Sequence, residues 1–103
     1  MVKLRMGFLL FQKLPVMFWI HGGGYTTGDG SDQLYGPEYI LDEDVILVTV
    51  QYRLGALGSL NLEDENAAGN QALWDQRLAL QWVQRNIGSF GGDYEMVTSA
   101  YCV

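Results

Sequence analysis

A strand that ends in three glycines constrains this chain more than any other feature. Val16 to Ile20 (VMFWI) is a continuous apolar run of β-branched and aromatic residues, preceded by Pro15 and followed by His21, Gly22, Gly23 and Gly24. The run is too short for a helix and does not alternate. It predicts a strand over residues 15–21, buried on both faces as in a parallel sheet. The glycines beyond it can take conformations that side chains resist, and they leave backbone N–H groups free to face outward. A loop of that kind suits an oxyanion in acyl transfer or a phosphate.

The next strong segment is Asp44-Val-Ile-Leu-Val-Thr-Val-Gln-Tyr52, which predicts a second buried strand over 44–52. Between the two, Gly22 to Gly36 is rich in polar turn formers with no apolar period, so it reads as irregular. Pro37 can open a short helical turn to Leu41. After Tyr52, the stretch Arg53 to Gly58 reads as a glycine-punctuated turn and the acidic run to Gly69 as a loop. Residues 70–88 carry the one clear helical period, with Leu73, Leu80, Val83 and Ile87 as the core stripe and Trp82 at its margin. Asn70 is the expected N-cap and Gly88 the expected stop. Gly91-Gly92-Asp93 predicts a turn, and Met96 to Val103 the start of a third strand. Residues 1–12 show only a short apolar run, Met6 to Phe11, that could add a stray strand. Strand, long crossover, strand, helix, strand implies an α/β fold with parallel neighbours. Two or three such strands leave at least one edge of the sheet uncovered.

Composition narrows the partners. A net charge of −6 argues against nucleic acid or an anionic membrane. Half of the acidic residues lie in Asp42-Glu43-Asp44 and Glu63-Asp64-Glu65, which read as solvated loop edges. His21 is the single histidine and Cys102 the single cysteine, so neither a metal cluster nor an internal disulfide is expected. Lys3 and Arg5 before Met6–Phe11 imitate a signal peptide, but the apolar core falls short of the usual stretch of about 7–15 residues. No run is long enough for a transmembrane helix. Localisation and oligomeric state are not legible.

Several motifs fall in a telling order. Leu14-Pro-Val-Met-Phe-Trp-Ile-His-Gly-Gly-Gly-Tyr25 comes first, then Tyr35-Gly-Pro37, Asp44 to Thr49, and Tyr52-Arg-Leu-Gly-Ala-Leu-Gly58. Gly69-Asn70, Asp75-Gln76, Ala79 to Gln84, Asn86-Ile87 and Phe90-Gly-Gly-Asp93 follow. This set resembles the type-B carboxylesterase family, which includes the cholinesterases and several esterase-like adhesion proteins. The resemblance covers residues 13–98. It implies a fragment of the α/β-hydrolase fold and the hydrolysis of small-molecule carboxylic esters through a serine acyl-enzyme, with no cofactor. It also implies that Gly23 and Gly24 are two of the family's oxyanion donors, the third coming from the residue after the nucleophile.

The same resemblance exposes what these 103 residues do not carry. In the family, the segment after Phe-Gly-Gly-Asp runs on into Gly-X-Ser-X-Gly, whereas this chain reads Val97-Thr-Ser-Ala-Tyr-Cys-Val103. Ser99 lacks the flanking glycines of a nucleophile elbow and is not expected to be a nucleophile. The acid and the base would follow later in chain order, so none of the triad is expected here. His21 precedes the nucleophile position and is expected to orient the glycine loop. Residues 1–12 do not match the family's upstream segment, giving the division 1–12 unmatched, 13–98 a partial esterase domain, and 99–103 divergent. Gln51, Ser59 and Ala68 also depart from the usual Asn, Phe and Pro.

A partial carboxylesterase domain, inactive by itself, is therefore the leading expectation. A piece of a non-catalytic adhesion or binding protein of the same family is the alternative. A dinucleotide site at Gly22-X-Gly24-X-X-X-Gly28 would need a helix directly after the glycines, and Tyr25 to Ser31 has no helical period.

Overall fold

A computed structural model describes residues 2–3, 13–30, 42–65 and 67–101. The strand at the head of the glycines is β2, Leu14–Ile20, and the second apolar run is β3, Ile46–Val50. They pair in parallel, with Val16 beside Ile46 and Ile20 beside Val50. A two-residue strand β1, Val2–Lys3, lies antiparallel on the far side of β3. After β3 come a short helix α1, Gly55–Ser59, and an antiparallel pair β4, Asn61–Asp64, and β5, Ala67–Ala68. The main helix α2 spans Gln71–Asn86 and tightens into a 3₁₀ turn, Ile87–Phe90. The last strand β6, Gly92–Tyr101, runs parallel to β2, giving the sheet order β1-β3-β2-β6.

Pairing positions two apart point to the same face of a strand. Leu14, Val16 and Phe18 of β2 and Ile46, Val48 and Val50 of β3 line one face, which α2 covers with Ala72 and Val83 and the 3₁₀ turn with Ile87. Full burial of side chains such as Phe18 or Ile87 favours folding by about 1.5–3 kcal/mol each, as an upper estimate. β3 is buried on both faces. The other face of β2, Pro15, Met17 and Trp19, is only half-buried, so that strand is less enclosed than its composition suggests.

The helix sits where its period puts it, with one correction to the stripe. Val83 and Ile87 are fully buried and Leu80 packs at the margin, but Leu73 is 48% exposed. Leu73 lies about 80° round the helix axis from Val83, while Ala72 lies within about 20° of it. The small Ala72 takes the core position. Asn70 does not cap the helix with its side chain. It adopts a left-handed backbone (φ 57°), and its carbonyl accepts the Trp74 N–H. The α-helix ends at Asn86, ahead of Gly88, and the left-handed glycine comes after the 3₁₀ turn, at Gly91.

β6 begins at Gly92, inside the segment expected to be a turn. A Cβ at Gly92 would lie 2.6 Å from Ile87 Cγ1 and 3.0 Å from Val16 Cγ2, so the helix end and β2 close around it. The acidic run after α1 forms a hairpin rather than a plain loop. The expected helical turn at Pro37–Leu41, the apolar run Met6–Phe11 and the end of the chain at Cys102 lie outside the described residues. No described helix is long and apolar enough to cross a membrane.

Candidate functional site

Two parallel strands, β2 and β6, end side by side, with Ile20 paired to Tyr101. In open α/β sheets ligands bind beyond the carboxyl ends of the strands. The glycine loop leaves β2 at that end. Gly22, Gly24 and Tyr25 line a cavity of about 350 Å³ together with Ile20, Tyr52, Gln76 and Tyr101.

The loop is a tight turn built on positive φ. Gly23 has φ 128°, Gly24 58° and Tyr25 63°. The Gly23 carbonyl accepts the N–H groups of Thr26 (3.1 Å) and Thr27 (3.2 Å). The hydroxyls of Thr26 and Thr27 donate to the same oxygen, at 3.1 and 3.4 Å. A Cβ at Gly23 would collide with the Thr27 carbonyl, whereas one at Gly24 would meet nothing within 4 Å. The Gly23 carbonyl is thus fully engaged. The Gly23 and Gly24 amides, by contrast, have no hydrogen-bond partner among the described residues. The turn is followed by irregular backbone to Gly30, without the helix N-terminus a pyrophosphate site requires.

His21 is wholly buried at the base of this loop. Its Nδ1 lies 3.0 Å from the Gly22 carbonyl and its ring stacks on Tyr52 at 4.5 Å between centroids. The Tyr52 hydroxyl donates to the His21 carbonyl at 2.7 Å, and the Tyr25 ring stands edge-on to Tyr52. The Gly55 N–H donates to the Tyr25 carbonyl. Arg53 ties this bracing segment to α2. Its Nε and Nη2 each donate to the Asp75 carboxylate at 2.8 Å, and its own backbone N–H adds a third bond at 2.9 Å. Those hydrogen bonds hold the Asp75 carboxyl below its ordinary value, against partial desolvation, and raise the Arg53 guanidinium in turn.

Sequence reasoning located Gly23, Gly24 and His21, and the structure brings all three to one end of the sheet. It missed the roles of Tyr52 and Arg53. The signal was the parallel register: once Ile20 faces Val50, Tyr52 falls two residues beyond β3, beside the start of the glycine loop. Ser99 pairs with Phe18, inside the sheet, and so lies short of the strand end where the glycine loop begins. Among the described residues no three His, Cys, Asp or Glu side chains gather as a metal site would require.

A family model described as the carboxylesterase family matches residues 10–100. Juvenile hormone esterase of Tribolium castaneum is 56% identical over 87 residues, covering 84% of this chain and 15% of that protein. Acetylcholinesterase-1 of Trittame loki is 54% identical over 84 residues, covering 81% and 15%. The crystal structure of juvenile hormone esterase from Manduca sexta superposes with a TM-score of 0.84 at 45% identity, over 86% of this chain and 17% of that one. The chain therefore spans a small part of the length of the relatives it matches.

Proposed function

This chain belongs to the carboxylesterase family, and from that premise we propose that its strand and glycine loop form part of an ester-hydrolysing site, with the Gly23 and Gly24 amides as oxyanion donors. The observation that carries this reading is the pair of amides without partners among the described residues, in a turn whose Gly23 carbonyl is fully engaged, beside a cavity at the ends of parallel strands. Acyl transfer places negative charge on the former carbonyl oxygen of the ester. Fixed N–H donors aimed at that oxygen stabilise the transition state by about 3–4 kcal/mol each. The substrates this reading implies are small-molecule carboxylic esters. In this reading the esterase segment is residues 13–98.

Two donors do not make a hydrolase. Attack on the ester also needs a nucleophile and a base to accept its proton. Among these 103 residues no serine stands in a Gly-X-Ser-X-Gly elbow, and the single histidine is buried beneath the loop. The polypeptide of this sequence, alone, is therefore expected to be inactive. Incubation with a chromogenic short-chain ester and, separately, an organophosphonate tests this. The expected result is neither turnover nor labelling. Saturable turnover together with covalent modification of Ser99 would overturn it.

A further inference from the structure

We propose that Tyr52 is a positioning residue for the glycine loop, fixing the His21–Gly24 backbone at the mouth of the cavity; this rests on the oxyanion reading above. Three glycines in a row have little conformational preference of their own, so the geometry of the amides must be imposed from outside. Within the loop, the Thr26 and Thr27 bonds to the Gly23 carbonyl close the turn but do not fix it to the sheet. Tyr52 does. Its hydroxyl grips the His21 carbonyl immediately before the glycines, at 2.7 Å and shielded from water. Its ring stacks on His21 with an 18° angle between planes, which prevents the imidazole from tipping. On the other side of the glycines, the Tyr25 carbonyl accepts the N–H of Gly55, three residues beyond Tyr52, at 2.6 Å.

The segment 52–55 therefore clasps the loop at both ends. Arg53, in the middle of that segment, is bolted to α2 through Asp75. The position of the oxyanion donors is in this way referred to the helix and the neighbouring strand, and β2 alone does not set it. Preorganisation of this kind matters because a misplacement of about 1 Å can cost on the order of a hundredfold in rate.

The test uses Tyr52→Phe, which keeps the ring and removes only the hydroxyl. In the 103-residue chain, amide exchange at Thr26, Thr27 and Gly55, whose N–H groups close the turn and the clasp, should quicken about fivefold, the equivalent of one neutral hydrogen bond. Exchange at Phe18 and Val48 should stay unchanged. In the Tribolium castaneum juvenile hormone esterase carrying residues 13–98 of this chain, Tyr52→Phe should lower kcat on the order of tenfold and leave KM unchanged. Gly24→Val in the same chimera tests the oxyanion reading itself. Loss of kcat in Gly24→Val with a native kcat in Tyr52→Phe would overturn the role of Tyr52 alone. Native kcat in both would overturn the oxyanion reading as well. Exchange that quickens uniformly through the core in Tyr52→Phe would make Tyr52 an ordinary core residue and overturn the inference.

Discussion

Arg53 and Asp75 lie 22 residues apart in sequence and form a bidentate fork, with Nε and Nη2 each 2.8 Å from a carboxylate oxygen. The Arg53 side chain is half exposed, while Asp75 is 20% exposed, so the carboxylate is the more enclosed partner. The fork joins the segment after β3 to the first half of α2, and so connects the floor of the glycine loop to the helix.

The carboxyl of Asp75 is held below its ordinary value of 3.8, chiefly by the hydrogen bond from Arg53. A folded-state value below the unfolded one contributes stability that is complete above about pH 5 and is lost as pH falls through the folded value. Asp75→Asn should therefore lower the unfolding midpoint at neutral pH. The gap from the parent should narrow progressively on acidification. Urea titrations at pH 7 and pH 3 check this; a gap that widened at low pH would contradict it.

Core and margin of the α2 stripe should separate cleanly in stability. Ile87 is fully buried between helix and sheet, so Ile87→Ala should cost about 2–5 kcal/mol. Leu73→Ala should cost less than about 1 kcal/mol, because much of that side chain already faces water. Urea unfolding at low protein concentration provides the comparison. Equal losses would contradict the placement of the stripe.

The two central loop glycines should also differ. Gly23→Ala forces a methyl into the Thr27 carbonyl and should distort the turn, costing more than about 2 kcal/mol. Gly24→Ala meets open space and should cost only the left-handed backbone penalty of about 1–2 kcal/mol. Amide chemical shifts of Thr26 and Thr27 should move in the first variant and stay in place in the second.

Association is the expected solution behaviour of the 103-residue polypeptide. Among the described residues no strand pairs with the outer edge of β6, where Tyr94, Met96 and Tyr101 are exposed. An open cavity of about 470 Å³ lies among Phe18, Val48, Val50, Ala79, Trp82 and Phe90. The chain should bind a dye that reports apolar surface and form larger species as concentration rises. Met96→Lys should reduce that association by charging the open edge. A dye-silent monomer at all concentrations would contradict this expectation.

What was legible in the sequence follows from the kind of signal each element carries. β2 and β3 are continuous apolar runs, and both appear within two residues of their expected ends. The glycine loop was legible because three adjacent glycines after a strand have few uses. The β4–β5 hairpin was hidden: Asn61, Leu62, Glu63 and Asp64 are all exposed, so no alternation marks the strand. The start of β6 was hidden by Gly92, which reads as a turn former yet is required by the close approach of Ile87 and Val16. Asn70 was misassigned because its residue type suits both an N-cap and a left-handed backbone, and tertiary context chose the latter. Tyr52 opens the Tyr52–Gly58 motif, but nothing local in that motif signals its role. Its importance comes from a register between strands about 30 residues apart, which no local pattern encodes.

The proposed role of the Gly24 backbone N–H as an oxyanion donor can be tested at the atom concerned. Glycolic acid placed at position 24 of the chimeric Tribolium castaneum esterase exchanges that N–H for an oxygen while adding no side chain. Hydrolysis of a chromogenic ester should then fall by about 10²–10³ in kcat, with folding and KM little changed. A kcat equal to that of the glycine-bearing chimera would contradict the assignment.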